Sequence, residues 1–179
     1  MKKLIVFSFA FLLSTFMIAQ DGMAKKKVQA SPAATLSQTV GTTDVTIEYS
    51  RPGKKGRTIF AADGLVPFGQ MWRTGANGAT KITFSDDVKV HGKALTAGSY
   101  TILTVPAADM WTVHFYPYDE GRWTPYKEKD PAAAFKVKPV MMKDSVETFM
   151  FSVDNIKDDS AQIGIIWENT HVPIKLEVM

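Results

Sequence analysis

The strongest constraint on the fold is a two-residue alternation of apolar and polar side chains that recurs along the chain. Thr43 to Tyr49 reads T-D-V-T-I-E-Y, in which every second residue is apolar. The same pattern returns in K-I-T-F-S around Ile82, V-K-V around Val88 and W-T-V-H-F-Y from Trp111. A period of two places the apolar side chains on one face of a half-buried β-strand. The pattern therefore predicts a chain built from strands.

Further strands are expected in residues 99–105, 135–140, 146–153, 161–167 and 172–178. Between the last two, Asn169-Thr170 is a turn signal, as is His91-Gly92 earlier in the chain. Helical periodicity is weak, and the Ala-rich stretch Asp130–Phe135 is too short for more than a turn or two of helix. About nine or ten short strands predict a single-domain, all-β antiparallel sandwich, since an apolar sheet face needs a second layer.

The first residues have the pattern of a secretory signal peptide. Lys2 and Lys3 precede an apolar run from Leu4 to Ala19 that is short for a membrane span. We expect residues 1–24 to direct export to the periplasm or the exterior, with cleavage between Ala19 and Ala24, and no membrane insertion after removal. Residues 25–34 are then expected to form a linker and residues 35–179 the folded domain.

Composition excludes several classes of function. Removing residues 1–20 removes two lysines and leaves 19 basic and 18 acidic residues, which is no electrostatic signature of nucleic-acid binding. The chain has no cysteine, which removes disulfides and thiolate chemistry. Its three histidines lack the close spacing of a metal motif, so we expect neither a metal nor a cofactor.

Two adjacent stretches break the strand pattern and form one long loop excursion. The first is Y-S-R-P-G-K-K-G-R-T-I-F at 49–60, and the second is L-V-P-F-G-Q-M-W-R-T-G-A-N-G-A-T at 65–80. A connection of this length without strong secondary structure is uncommon unless it is functional or disordered. Its many apolar residues argue against disorder. The excursion is therefore expected to be ordered.

These motifs resemble a known family. Y-S-R-P, K-G-R, L-V-P-F-G and M-W-R-T-G-A-N, followed by I-T-F-S-D-D-V-K-V-H-G-K-A-L-T-A-G-S-Y, are similar to the bacterial family called domain of unknown function 2911. The resemblance covers about Ser31 to Val178. It implies a secreted or periplasmic bacterial protein and no particular biochemical activity.

Arginines in the excursion suggest an anion site. Arg51, Arg57 and Arg73 each lie beside Gly, Pro or a small polar residue, and guanidinium groups bind carboxylate or phosphate through paired hydrogen bonds. The alternative is that Arg51 and Arg73 tie the excursion to the sheet, through acids such as Glu48 or Glu168 or through backbone carbonyls. The candidate ligand-binding residues are Arg51, Arg57, Trp72, Arg73, Thr74 and Asn77.

Structural roles also account for several of these residues. Trp72 could pack the loop on the core with its N–H bonded to a carbonyl, and Asn77 suits a left-handed or Asx turn. A second aromatic segment, His114–Tyr126, has rings and acids suited to a sugar surface, or rings that pack locally.

Catalysis has weaker support in the sequence. His114 with Glu168 could act as a general base and its orienting acid in a hydrolase, but no established catalytic motif is present. We expect a non-catalytic protein that binds a small anionic or carbohydrate-like molecule, or a partner surface, through Arg51–Asn77. The other possibilities are the hydrolase and a purely structural envelope protein.

Overall fold

A computed structural model describes residues 27–179, so the predicted signal peptide lies outside the described residues. The described part contains twelve β-strands and one 3-10 helix, at Thr124–Glu128. The strands are β1 Ala33–Val40, β2 Thr43–Ser50, β3 Phe60–Ala61, β4 Val66–Pro67, β5 Thr80–Phe84, β6 Val88–Val90, β7 Lys93–Leu95, β8 Gly98–Val105, β9 Trp111–Pro117, β10 Ala133–Val137, β11 Val140–Asp154 and β12 Ser160–Val178. The predicted all-β class is confirmed.

Ten of these strands form two packed antiparallel sheets. One sheet has the order β1-β2-β5-β8-β9-β10 and the other the order β11-β12-β6-β7, whereas β3 and β4 form a short parallel pair. The alternation seen in the sequence sets the inner faces: Val45, Ile47 and Tyr49 of β2 are buried, and Asp44 and Glu48 are exposed. The core lies between the sheets, as the predicted sandwich requires.

The strand β12 doubles back on itself near Glu168. The N–H of Val178 donates to the carbonyl of Asp159 at 2.8 Å, although 19 residues of straight strand would separate the two ends by roughly 60 Å. Glu168 has a left-handed φ of 53° at the reversal. The first arm pairs with β11, and the second pairs with the start of β11 at Thr170 and His171 and with β6 at its end. The two strands predicted at 161–167 and 172–178 are these arms.

Two local predictions differ from the structure. Strand β1 begins at Ala33, inside the expected linker, and pairs with the whole of β2. The sequence did not predict β1 because Leu36 and Val40 are the only large apolar residues among its small and polar ones, so the apolar alternation is weak. Such a composition is suited to an edge strand. The Ala-rich stretch at 130–135 is also not helical: its second half is in β10, where the pairing of Phe135 with Val113 overrides helix propensity.

The long excursion occupies residues 51–79, between neighbouring strands β2 and β5. Its start extends the four-stranded sheet, because Gly53 bridges Thr148 of β11 and the N–H of Phe149 donates to the Pro52 carbonyl at 3.0 Å. Its end pairs with β8, where Trp72 and Thr104 exchange backbone hydrogen bonds of 2.7 and 2.9 Å. The excursion therefore crosses from one sheet to the other. No helix in the described part of the chain is long and apolar enough to cross a membrane.

Candidate functional site

A pocket of about 330 Å³ is lined by residues of the excursion together with Ala30, Ser31 and Trp167 of β12. This volume is at the small end of the range for ligand sites. We call it the basic pocket. Its lining residues are Ala30, Ser31, Pro52, Gly53, Lys55, Arg57, Leu65, Val66, Trp72, Arg73, Gly75, Ala76 and Trp167.

Two tryptophans supply a rigid wall of the basic pocket. The indoles of Trp72 and Trp167 are stacked, with centroids 5.9 Å apart and planes inclined by 20°. Trp72 is 8% exposed and Trp167 only 1%, so both belong to the core as well as to the pocket. The indole N–H of Trp72 donates to the Gly75 carbonyl at 3.0 Å, as the structural interpretation of Trp72 predicted. This bond and the stacking hold the wall in place.

The charge of the lining is of one sign. Lys55, Arg57 and Arg73 line the basic pocket, and no Asp or Glu of the described chain is among its lining residues. Glu147 lies outside the lining, and its Oε1 accepts the backbone N–H of Lys55 at 2.8 Å. Arg57 is held in place by two backbone carbonyls, since its Nε donates to Lys54 at 3.0 Å and its Nη2 to Gly53 at 2.7 Å. A fixed guanidinium loses less entropy when it binds an anion.

Arg73 sits in a drier environment than the other two cations. Burial lowers the pKa of its guanidinium, and its buried Nε has no hydrogen-bond partner among residues 27–179. The guanidinium carbon lies 5.6 Å from the centroid of Trp123, a ring outside the pocket lining. Arg73 is therefore shared between the pocket and this aromatic neighbour.

The loop that follows Arg73 is held in a special conformation. Thr74 is buried with a φ of 52°, and its hydroxyl lies 3.0 Å from that of Thr104. Asn77 has the left-handed φ expected for it, 61°, and its amide donates to the Ser31 carbonyl at 3.0 Å. The Thr74 and Asn77 side chains thus shape the loop, and neither is among the pocket-lining residues.

Arg51 lies outside the basic pocket lining. Its Nε donates to the Phe149 carbonyl at 3.0 Å, one of the two kinds of structural tie considered from the sequence. The acids proposed as partners pair with lysines: Glu48 with Lys81 at 2.9 Å, and Glu168 with Lys54 at 3.2 Å. Lys54 in this way fastens the start of the excursion to β12.

The structure does not join His114 to Glu168. His114 is on β9 of the six-stranded sheet and stacks on Tyr116 at 6.0 Å, whereas Glu168 is on β12 of the other sheet. Burial lowers the His114 pKa, and its Nδ1 has no partner within the described chain. Neither residue lines the basic pocket, so the pocket gains no general base from this pair.

The aromatic segment at 114–126 is packed on itself. Tyr126 is fully buried, and its hydroxyl accepts the N–H groups of Asp119 and Glu120 at 2.7 and 2.8 Å. Tyr116 is also buried, and Trp123 packs against this small cluster outside the main core. The rings therefore face protein more than solvent, which is the local-packing alternative.

Sequence reasoning missed several lining residues of the basic pocket. Trp167 looks like an ordinary core position because it continues the alternation of 161–167. Lys55 was not among the candidate residues, and nothing marked Gly75 and Ala76 beyond the family motif. The one available signal was the density of cations between Arg51 and Arg73.

Comparison with known families identifies the chain's relatives. The model of the family described as "Protein of unknown function (DUF2911)" matches residues 31–176. The chain belongs to the DUF2911 family. The DUF2911 region includes every strand in at least part and all lining residues of the basic pocket except Ala30. No curated protein and no solved structure matches the chain.

Proposed function

We propose that this protein binds a small anionic molecule in the basic pocket and does not transform it. The observation that carries this proposal is the lining, which has three basic residues and no acidic one among the described residues. Positive charges that line a cleft with low-dielectric walls raise the local concentration of anions. The proposal includes export, which rests on the signal-peptide pattern at residues 1–24.

The arrangement of the lining supports binding over a purely structural role. Lys55, Arg57 and Arg73 form no ion pair with an acid among residues 27–179, so their charges are available to a ligand. The stacked indoles of Trp72 and Trp167 offer an apolar wall beside these charges. Small-molecule sites commonly combine such a wall with a few placed polar groups.

Isothermal titration of the mature protein with a panel of small carboxylates, phosphates and sulfates tests this function. The double variant Lys55→Ala/Arg57→Ala should weaken binding at least tenfold. Its matched control is Lys89→Ala/Lys93→Ala, which removes the same charge at exposed positions on β6 and β7.

The expected result is that wild type and control bind the same anion with the same affinity, and that binding weakens as salt rises. Thermal unfolding of each variant separates loss of binding from loss of fold. Equal affinity in all three proteins, or no binding of any anion to the wild type, would contradict the proposal.

A further inference from the structure

Three consecutive backbone donors at the basic pocket lack acceptors. The N–H groups of Thr74, Gly75 and Ala76 donate to no oxygen within residues 27–179. All three residues are buried. A buried N–H without an acceptor is rare in folded proteins because it loses its bond to water without replacement. Because Gly75 and Ala76 line the basic pocket, a ligand or a water molecule in the pocket can accept from their N–H groups.

Two of these residues have an unusual backbone conformation. Thr74 has a φ of 52° and Gly75 a φ of 151°, both outside the regions that most residues adopt. Successive N–H groups around a left-handed residue form a concave nest that binds anions. Gly75 and Ala76 line the basic pocket together with Lys55 and Arg57. The two N–H groups without acceptors and the two cations without acidic partners in the described chain thus belong to residues that line one cavity.

We infer that the ligand of the basic pocket is a phosphate monoester, whose phosphate is held by the Gly75 and Ala76 N–H groups with Lys55 and Arg57. This inference rests on the proposed function and gives it a substrate class. A phosphate monoester carries nearly two charges and three terminal oxygens, so it can accept more hydrogen bonds than a carboxylate. The donors here come from two backbone groups and two side chains, and three terminal oxygens can meet them from more directions than the two of a carboxylate.

The pocket volume left beside the phosphate restricts the organic group of the ester. A cavity of about 330 Å³ is larger than a phosphate group alone requires. Another part of its wall is apolar and includes Leu65, Val66 and the two stacked indoles. A compact organic group with an apolar surface would be buried there while the phosphate meets the donors.

Phenyl phosphate, benzoate and phenol are suitable probes because they share one ring and differ in the charged group. At pH 8 we expect phenyl phosphate to bind at least tenfold more tightly than benzoate, and phenol not to bind. In ¹⁵N-resolved spectra the amide protons of Gly75 and Ala76 should move downfield with phenyl phosphate. Benzoate binding as tightly, or no movement of these two amides, would overturn the phosphate assignment and leave anion binding intact.

Replacing the peptide bond of Ala76 by an ester tests the backbone donor directly. In vitro translation with lactic acid at position 76 exchanges the N–H for oxygen and keeps the methyl group. We expect the affinity for phenyl phosphate to fall at least fivefold, and the affinity to be unchanged when the same exchange is made at exposed Ala108. Equal affinity of the two ester variants for phenyl phosphate would show that the Ala76 N–H does not contact the ligand. If the wild-type protein binds none of the anions tested, the proposed function itself would be refuted.

Discussion

Arg51 donates from its Nε to the backbone carbonyl of Phe149 at 3.0 Å. The same strand residue returns a backbone bond, since the Phe149 N–H donates to the Pro52 carbonyl at 3.0 Å. Arg51 therefore fixes the point at which the chain leaves β2 and joins the edge of β11. It connects the two sheets and does not line the basic pocket.

Arg51→Ala should destabilise the fold without changing anion affinity. Loss of one partly buried hydrogen bond from a charged group costs about 1.5 to 3 kcal/mol. Urea unfolding measures this loss, and titration with the anion found for wild type measures affinity. Arg122→Ala is the control, because that side chain is 78% exposed. A selective loss of affinity with full stability in Arg51→Ala would place Arg51 in the binding site.

Gly75→Ala should destabilise the protein more than Gly92→Ala. Both glycines have a positive φ, 151° and 79°, so both substitutions carry backbone strain. A methyl group at position 75 would also lie 3.0 Å from Thr80 Oγ1 and 3.1 Å from the Ser50 carbonyl, whereas nothing lies within 4 Å at position 92. We expect losses of at least about 2 kcal/mol and about 1 kcal/mol respectively. Equal midpoints in urea would show that the close approach at Gly75 has no energetic effect.

Stability should decrease as pH falls below about 6.5. Burial lowers the pKa of His114 and of His171 below 6.5, although a backbone bond with Leu103 and the charge of Asp154, respectively, act in the opposite direction. Between the lowered pKa and 6.5 the unfolded chain binds more protons than the folded one. The contribution of both groups is therefore fully present above pH 6.5 and is lost on acidification.

Urea unfolding at pH 7.5 and pH 5.5 measures this effect. The double variant His114→Gln/His171→Gln should lose less stability between the two pH values than wild type does. The control is His91→Asn, which removes an exposed imidazole and keeps a residue that accepts a left-handed φ. An unchanged pH dependence in the double variant would contradict the assignment to these two residues.

Ser152→Ala should stabilise the protein. The Ser152 Oγ is buried and has no hydrogen-bond partner in the described chain. The Nε2 of His171 is also buried and also lacks a partner there. The two groups meet over Gly164, where an added Cβ would lie 2.9 Å from His171 Nε2. Removing a buried hydroxyl without a partner relieves its desolvation cost, about 1 kcal/mol or more.

The matched variant is Ser99→Ala, which breaks a 2.8 Å bond between the hydroxyls of Ser99 and Thr83. It should lower the free energy of unfolding, so the two serine substitutions have opposite signs. A loss of stability in Ser152→Ala would show that this hydroxyl has a partner, such as a buried water.

Local patterns were enough to predict most of the sandwich. The alternation in 43–49 identified β2, and His91-Gly92 correctly marked the turn between β6 and β7, where φ is 51° and 79°. Strand β1 was missed because an edge strand covers little core and so carries a weak apolar pattern. Pairing with β9 decided the structure of β10, and such long-range contacts leave no local signal.

The candidate site was predictable only as a region. The sequence marked the excursion, but Arg51 and Arg57 look alike there, and only the folded chain separates a sheet tie from a pocket cation. Trp167 comes from β12, far from the excursion in the sequence. Its place in the pocket depends on the packing of two sheets. The backbone donors at Gly75 and Ala76 depend on dihedral angles that residue identity does not fix.

The route of the excursion has an evolutionary consequence. Apart from Ala30, Ser31 and Trp167, every residue that lines the basic pocket comes from one uninterrupted stretch, 52–76. Both ends of that stretch are fastened to strands of the sandwich. Under the proposed function, a new stretch between the same two anchor points would redefine the pocket while the sheets keep their sequence.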